Sequence, residues 1–199
     1  RTQIADAEAF VAKNRDWIIA TSPEEAEQAL KQGSRIIILS LEGVSGILET
    51  EADFKEFIDQ KGIRIVTFEH LSNDEYGGVA LLHGWKALSS LGGMINSLIQ
   101  GQHCEGVRLN PRRLTEQGRR LARALIKRKI WIDLSHSSDA TSRELISMLA
   151  EARQPILYTH VPLRKFHHAE RGLAQWQLEA VKTSGGIVGL VPSEEMLEG

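Results

Sequence analysis

Short apolar runs alternate with longer amphipathic stretches along this chain, and that alternation leaves few folds open to it. The runs are Arg35–Leu41, Arg64–Phe68, Ile130–Leu134, Pro155–Thr159 and Gly186–Val191. Each is rich in β-branched or large apolar residues. Runs that are apolar on both faces suit parallel strands covered on both sides. The stretches between them read as helices. Ser22–Gln32 opens on an N-cap serine, then Pro23, Glu24 and Glu25, and stops at Gly33. Glu51–Gln60 puts Phe54, Phe57 and Ile58 on one face and stops at Gly62. Thr115–Lys129 carries Leu121, Leu125 and Ile126 at helical spacing, and Ser138–Ala152 carries Leu145, Met148 and Leu149. Leu173–Ser184 carries Leu178 and Val181 before Gly185-Gly186. Strands separated by helices predict βαβ units and an α/β fold.

Two architectures meet that pattern: an open doubly wound sheet and a (β/α)8 barrel of the TIM type. No glycine-rich phosphate-binding motif follows the first runs, which weighs against nucleotide-binding versions. Tyr76–Pro111 is the least regular stretch. At that length between a strand and its helix it reads as a functional loop or lid, or as disorder.

Charge narrows the partners. With 24 Lys+Arg against 26 Asp+Glu, the net charge is −2. A general nucleic-acid binder or a polybasic membrane-surface protein would be basic. The exception is local: Arg112, Arg113, Arg119, Arg120, Arg123, Lys127, Arg128 and Lys129 crowd around one helix. No aromatic residue interleaves to stack bases, so this reads as a solvated helix face and no nucleic-acid partner is expected. No transmembrane segment is expected in this span, because no run approaches the roughly 18 apolar residues a membrane helix needs. Arg1–Phe10 is not a signal peptide, and the absence of an initiator Met suggests that the natural N-terminus lies upstream. A cytoplasmic location is expected, or a periplasmic or secreted one if a signal precedes Arg1. Cys104, the single cysteine, rules out an internal disulfide and a multi-cysteine zinc ribbon.

The chemistry gathers at the ends of the runs. Glu42 follows the first, His70 the second, His136 the third and His160 the fourth. The C-terminal edge of a parallel sheet is where α/β folds bind ligands. Imidazole nitrogen and carboxylate oxygen converging from several strands suit a divalent cation. Glu42, His136 and His160 are therefore the candidate metal ligands. His83, His103, His167 and His168 lie in loop-like sequence and are expected to be exposed.

Taken in order, Leu41-Glu42-Gly43, Thr67-Phe68-Glu69-His70-Leu71-Ser72-Asn73, Leu114-Thr115-Glu116-Gln117-Gly118, Ile132-Asp133-Leu134-Ser135-His136, Pro155–His160, Arg171 and Gly185–Gly189 resemble the membrane dipeptidase (renal dipeptidase) family. Those enzymes are zinc-dependent (β/α)8 barrels that cleave dipeptides. The resemblance implies that Glu42 bridges two zinc ions and that His136 and His160 bind one of them. It makes His70 a catalytic residue that contacts the substrate and polarises its carbonyl. Arg171 becomes the residue that binds the substrate's terminal carboxylate. A planar guanidinium suits bidentate capture of a carboxylate, and paired cations lower the pKa of a shared water. A small peptide is the expected partner, and a homodimer is compatible with the family.

The departures are as informative. The family's His-x-Asp pair on strand one is absent, as is its Asp-Phe-Asp run on strand eight. Gly172 and Gln175 stand where the family usually has Asn and Asp. The five runs correspond to the family's strands three to seven. A complete barrel takes about 250 residues, so residues 1–199 are expected to form a single, incomplete barrel domain holding about five of eight βα units. A metallo-dipeptidase, inactive as this span alone, is the leading expectation. The alternatives are a metal-dependent amidohydrolase of other specificity and a non-catalytic barrel that has lost a metal.

Overall fold

The computed structural model describes residues 2–82, 95 and 103–191. The chain divides into two compact units, Arg1–Leu41 with Gly46–Val66, and Glu42–Ser45 with Thr67–Gly199.

In the first unit, helix α1 (Thr2–Lys13) leads to strand β1 (Trp17–Ile19), helix α2 (Pro23–Lys31) and strand β2 (Arg35–Ile37). β1 and β2 pair in parallel, with Ile18 opposite Ile36. Ser22 caps α2 by accepting from Glu25 N at 3.2 Å. The Glu25 carboxylate turns back to accept from Thr21 N and Oγ1, which lowers its pKa. The expected single strand Arg35–Leu41 is instead two: β2, and β3 (Ser40–Glu42) beyond a break at Ile38-Leu39. Trp17–Ile19, the partner of β2, is a strand the run pattern did not pick out. The helix expected over Glu51–Gln60 is one α-turn, α3 (Glu51–Asp53), continued by a π-helical stretch over Phe54–Gln60. It buries Phe54, Phe57 and Ile58 as its spacing requires. Strand β4 (Ile65–Thr67) follows.

The strands β3 and β4 end in the second unit. That unit adds the hairpin β5 (His103–Cys104) and β6 (Val107–Arg108), helix α4 (Glu116–Lys127) and strand β7 (Trp131–Asp133). Helix α5 (Asp139–Glu151), strand β8 (Leu157–Val161), helix α6 (Gln175–Ser184) and strand β9 (Ile187–Leu190) complete it. The strand ends lie in the order β3-β4-β7-β8-β9, and β8 runs parallel to both its neighbours. All five expected runs thus contribute a strand in chain order, as in part of a (β/α)8 barrel. Thr115 and Ser138 cap α4 and α5 through N–H groups three residues on. Leu121, Ala122 and Leu125 of α4, and Leu145 and Leu149 of α5, supply the buried faces. Phe68, Ile132, Leu134 and Tyr158 fill the interior beneath the site. Among the described residues no helix is long and apolar enough to cross a membrane.

The basic stretch is partly tied down. Arg112 donates to Gly77 O and Asp74 O, and Arg119 grips Glu144 of α5. Of the remaining sequence-singled histidines, His103 and His168 are exposed, and His83 lies outside the described residues. His167 departs from expectation: it is buried, because the turn after β8 folds inward, with His167 N donating to Leu163 O at 2.9 Å.

Candidate metal centre

Glu42 is the last residue of β3, His160 lies within β8, and His136 sits three residues beyond β7. Their donor atoms meet. His136 Nε2 lies 2.8 Å from Glu42 Oε1 and 3.0 Å from His160 Nε2, and His160 Nε2 lies 3.0 Å from Glu42 Oε1. Local backbone makes this possible. Gly43 adopts φ +74°, and a Cβ there would come within 3.2 Å of the His70 Cβ, so the chain can turn sharply after Glu42 only without a side chain. Gly43 N and Val44 N then donate to Thr67 O and Phe68 O, which joins the ends of β3 and β4.

Which imidazole nitrogen faces the cluster follows from the hydrogen bonds behind it. Asp133 is buried beneath the site and accepts from Thr67 Oγ1, Ser135 N and Oγ, and Thr159 N and Oγ1. The Thr159 hydroxyl proton is committed to Asp133 at 2.6 Å, while His160 Nδ1 lies 2.7 Å from the same oxygen. Thr159 can then only accept, so His160 carries its proton on Nδ1 and turns the Nε2 lone pair toward Glu42 and His136. A carboxylate–hydroxyl–imidazole chain of this kind orients a metal ligand from behind. His136 is held neutral by a different route. Burial, then the charge of Arg171 and the neighbouring His160 and His70, push its pKa down to about 2, against a hydrogen bond to the His70 backbone. Its lone pair is therefore available at any physiological pH.

The centre has a closed and an open side. The His136 side chain is 9% exposed, whereas those of Glu42 and His70 are 41% and 47% exposed. His70 Nε2 stands 3.9 Å from Glu42 Oε1, and its ring packs edge-on to His136 at 4.9 Å. His70 thus borders the cluster from the accessible side. A cavity of about 500 Å³ opens there, lined by Glu42, Ser45, His70, Asn73 and Glu75 among others.

Arg171 approaches from the other flank. Nη2 donates to His160 O at 2.8 Å and lies 3.4 Å from His136 Nε2, and Nη1 is buried without a hydrogen-bond partner among the described residues. Burial lowers its pKa to about 10, opposed by Asp133 and Glu42, so it remains a cation at neutral pH. The segment Lys165–Arg171 is therefore no ordinary solvated loop: Ala169, Glu170 and Arg171 are all buried.

Gly172 and Gln175, two of the departures from the family pattern, have separate explanations. Gly172 packs flat on Arg164, where a Cβ would fall 2.8 Å from the Arg164 Cα and N and 2.9 Å from His167 O. Gln175 is exposed at the start of α6, where its amide bonds Glu179 at 2.7 Å. Sequence reasoning missed three buried charged residues around the site, Glu69, Arg164 and Glu170.

Solved structures share this fold. The probable dipeptidase PvdM from Pseudomonas aeruginosa superposes with a TM-score of 0.73 at 18% identity, covering 98% of this chain and 44% of that one. A metallo peptidase from Rhodobacter sphaeroides, liganded with a phosphinate mimic of the dipeptide L-Ala-D-Ala, gives 0.69 at 20% identity, covering 98% and 49%. An amidohydrolase from Pseudomonas aeruginosa gives 0.68 at 20% identity, covering 95% and 49%. The chain spans about half the length of these structures. No curated protein matches it. The family model described as membrane dipeptidase, peptidase family M19, matches residues 1–199, and the chain belongs to that family.

Proposed function

We propose that this chain carries one metal position and the carboxylate-binding arginine of a metal-dependent dipeptidase, with zinc as the metal and two ions in the whole protein. The observation that carries the reading is the convergence of Glu42 Oε1, His136 Nε2 and His160 Nε2 within 3.0 Å of one another. Three donors each about 2.0–2.2 Å from a tetrahedral zinc ion stand about 3.3–3.6 Å apart, so the cluster needs to open by only about half an ångström to hold one. The donor set also fits: two imidazoles whose lone pairs face inward and one carboxylate.

When bound, zinc would supply a water activated for attack at neutral pH and polarise the scissile carbonyl. The chain's own residues do the rest. Arg171, with Nη2 3.4 Å from His136 Nε2 and Nη1 left unpaired, pairs with the free carboxylate of a dipeptide, which limits the substrate's length on that side. His70, on the open side, contacts the substrate near its scissile carbonyl and donates a hydrogen bond to the developing oxyanion. Glu42 holds one oxygen toward both histidines, and as a carboxylate it would be able to serve a second ion as well. The resemblance gives that ion to the family's His-x-Asp pair, which this sequence lacks. The 199-residue chain alone is accordingly expected to bind metal and to turn over poorly.

The test is a comparison of substrates in the whole protein that contains this chain. A dipeptide with a free C-terminus should be cleaved far better than its C-terminal amide. Arg171→Ala should raise KM for the free dipeptide by an amount equivalent to about 2–5 kcal/mol and leave the amide almost unaffected. Equal cleavage of the free and amidated dipeptides by the wild type would remove Arg171 as the anchor and favour an amidohydrolase of other specificity.

A further inference from the structure

The turn that follows β8 carries two buried arginines with opposite circumstances. Arg171 faces the metal centre with one nitrogen unpaired. Arg164 is 1% exposed and every one of its nitrogens has a partner: Nη1 and Nη2 donate to the two carboxylate oxygens of Asp139 at 3.0 and 2.6 Å. The same guanidinium donates from Nη2 to Glu170 O at 3.1 Å and from Nε to Gly172 O at 3.0 Å. Those two carbonyls flank Arg171 on either side. A single planar fork therefore grips the backbone immediately before and after the residue that faces the site.

The neighbours complete the frame. Asp139 is the first residue of α5, so the grip is anchored to a helix. The Glu170 carboxylate collects Leu81 N, Asn110 N and Asp139 N, each at 2.9 Å, and Arg171 N donates to Leu81 O at 3.1 Å. Gly172 allows the close approach, since any side chain there would strike the Arg164 backbone. None of Arg164, Asp139 or Glu170 bonds the donor atoms of Glu42, His136 or His160.

We propose that Arg164 is a positioning residue for Arg171, and that the Arg164–Asp139 pair fixes the guanidinium of Arg171 in the geometry that receives a substrate carboxylate. The inference rests on the dipeptidase reading and adds to it which residue sets carboxylate specificity from behind. Lysine keeps the charge of Arg164 but, as a single point donor, cannot span Asp139 and two carbonyls at once. An anchor misplaced by a fraction of an ångström loses binding without disturbing the metal ligands.

The experiment uses the whole zinc-loaded protein, with L-Ala-L-Ala and L-Ala-D-Ala as substrates beside their C-terminal amides. Arg164→Lys should raise KM for the better-cleaved free dipeptide 10- to 100-fold. The kcat should stay within about twofold, the amide kinetics should be unaltered, and the zinc affinity by calorimetry should be unchanged. Asp139→Asn, which keeps the shape of the pair and removes its charge, should give the same pattern at smaller amplitude, and it serves if Arg164→Lys does not fold. A loss shared equally by free and amidated substrates, or a fall in zinc affinity, would make Arg164 merely structural and overturn the proposal. An unchanged KM in a folded variant would do the same. A wild type that treats free and amidated dipeptides alike would overturn the dipeptidase reading itself, and the role of Arg164 with it.

Discussion

Replacing Glu69 by glutamine should stabilise the protein, and by an amount that depends on pH. Glu69 is fully buried next to His70, and its Oε2 accepts from Ser137 Oγ at 2.8 Å. Its Oε1 has no hydrogen-bond partner among the described residues. Burial, with the nearby charge of Asp74, raises its pKa from 4.5 to about 8. The folded state therefore keeps the proton over a range in which the unfolded chain has released it. The stability associated with Glu69 is fully present below pH 4.5, declines as pH rises, and is lost by the time pH passes about 8. A rise of that size corresponds to about 5 kcal/mol, a large share of a domain's typical total of about 5–15 kcal/mol. Glutamine approximates the protonated acid, with one oxygen to accept from Ser137 and an uncharged NH2 at the unpaired position, and cannot ionise. Urea unfolding of both proteins from pH 4.5 to 8.5 is the assay. The advantage of Glu69→Gln should be small at pH 4.5 and grow to several kcal/mol at pH 8.5. Glu170, also raised to about 8 by burial, is present in both proteins and cancels in the difference. A difference that stays flat across the range, or a glutamine variant less stable throughout, would refute the reasoning.

Other expectations follow from the same contacts. Thr159→Val removes the acceptor behind His160 Nδ1 and frees its tautomer. Zinc affinity by competition with a chelating dye should fall about 10–100-fold, and the metal-free protein should lose about 1–3 kcal/mol because Asp133 forfeits the same hydroxyl. Gly172→Ala forces a Cβ against the Arg164 backbone, and the loss of stability in chemical denaturation should be about 1–3 kcal/mol.

Much of this was legible in the sequence because it is local. The caps Ser22, Thr115 and Ser138 mark helix starts through residues three positions away. The apolar runs mark strands because β-branched and large apolar residues crowd them, and those of β4, β7 and β8 are largely buried, although Ile187 and Leu190 of β9 are exposed. Glu42, His136 and His160 could be grouped because parallel strands bring their C-terminal ends together wherever they fall in the chain. What escaped was decided by distant partners. Trp17–Ile19 is only three residues long and becomes a strand by pairing with Arg35–Ile37. Arg164 is buried because Asp139, 25 positions earlier, meets it, and Glu170 because Leu81, 89 positions earlier, does. Charged residues in polar loop sequence carry no local sign of such partners. The inward fold of the turn that buries His167 is equally invisible from its composition.

The central claim is that Glu42, His136 and His160 bind one metal ion together. Anomalous diffraction at the zinc edge, from crystals of this protein equilibrated with zinc, tests it most directly. The account predicts a strong peak about 2.0–2.2 Å from the Glu42 carboxylate oxygen and from Nε2 of both histidines, abolished in His136→Ala. Saturating zinc with no peak among these three side chains, or a peak there that persists in His136→Ala, would contradict it.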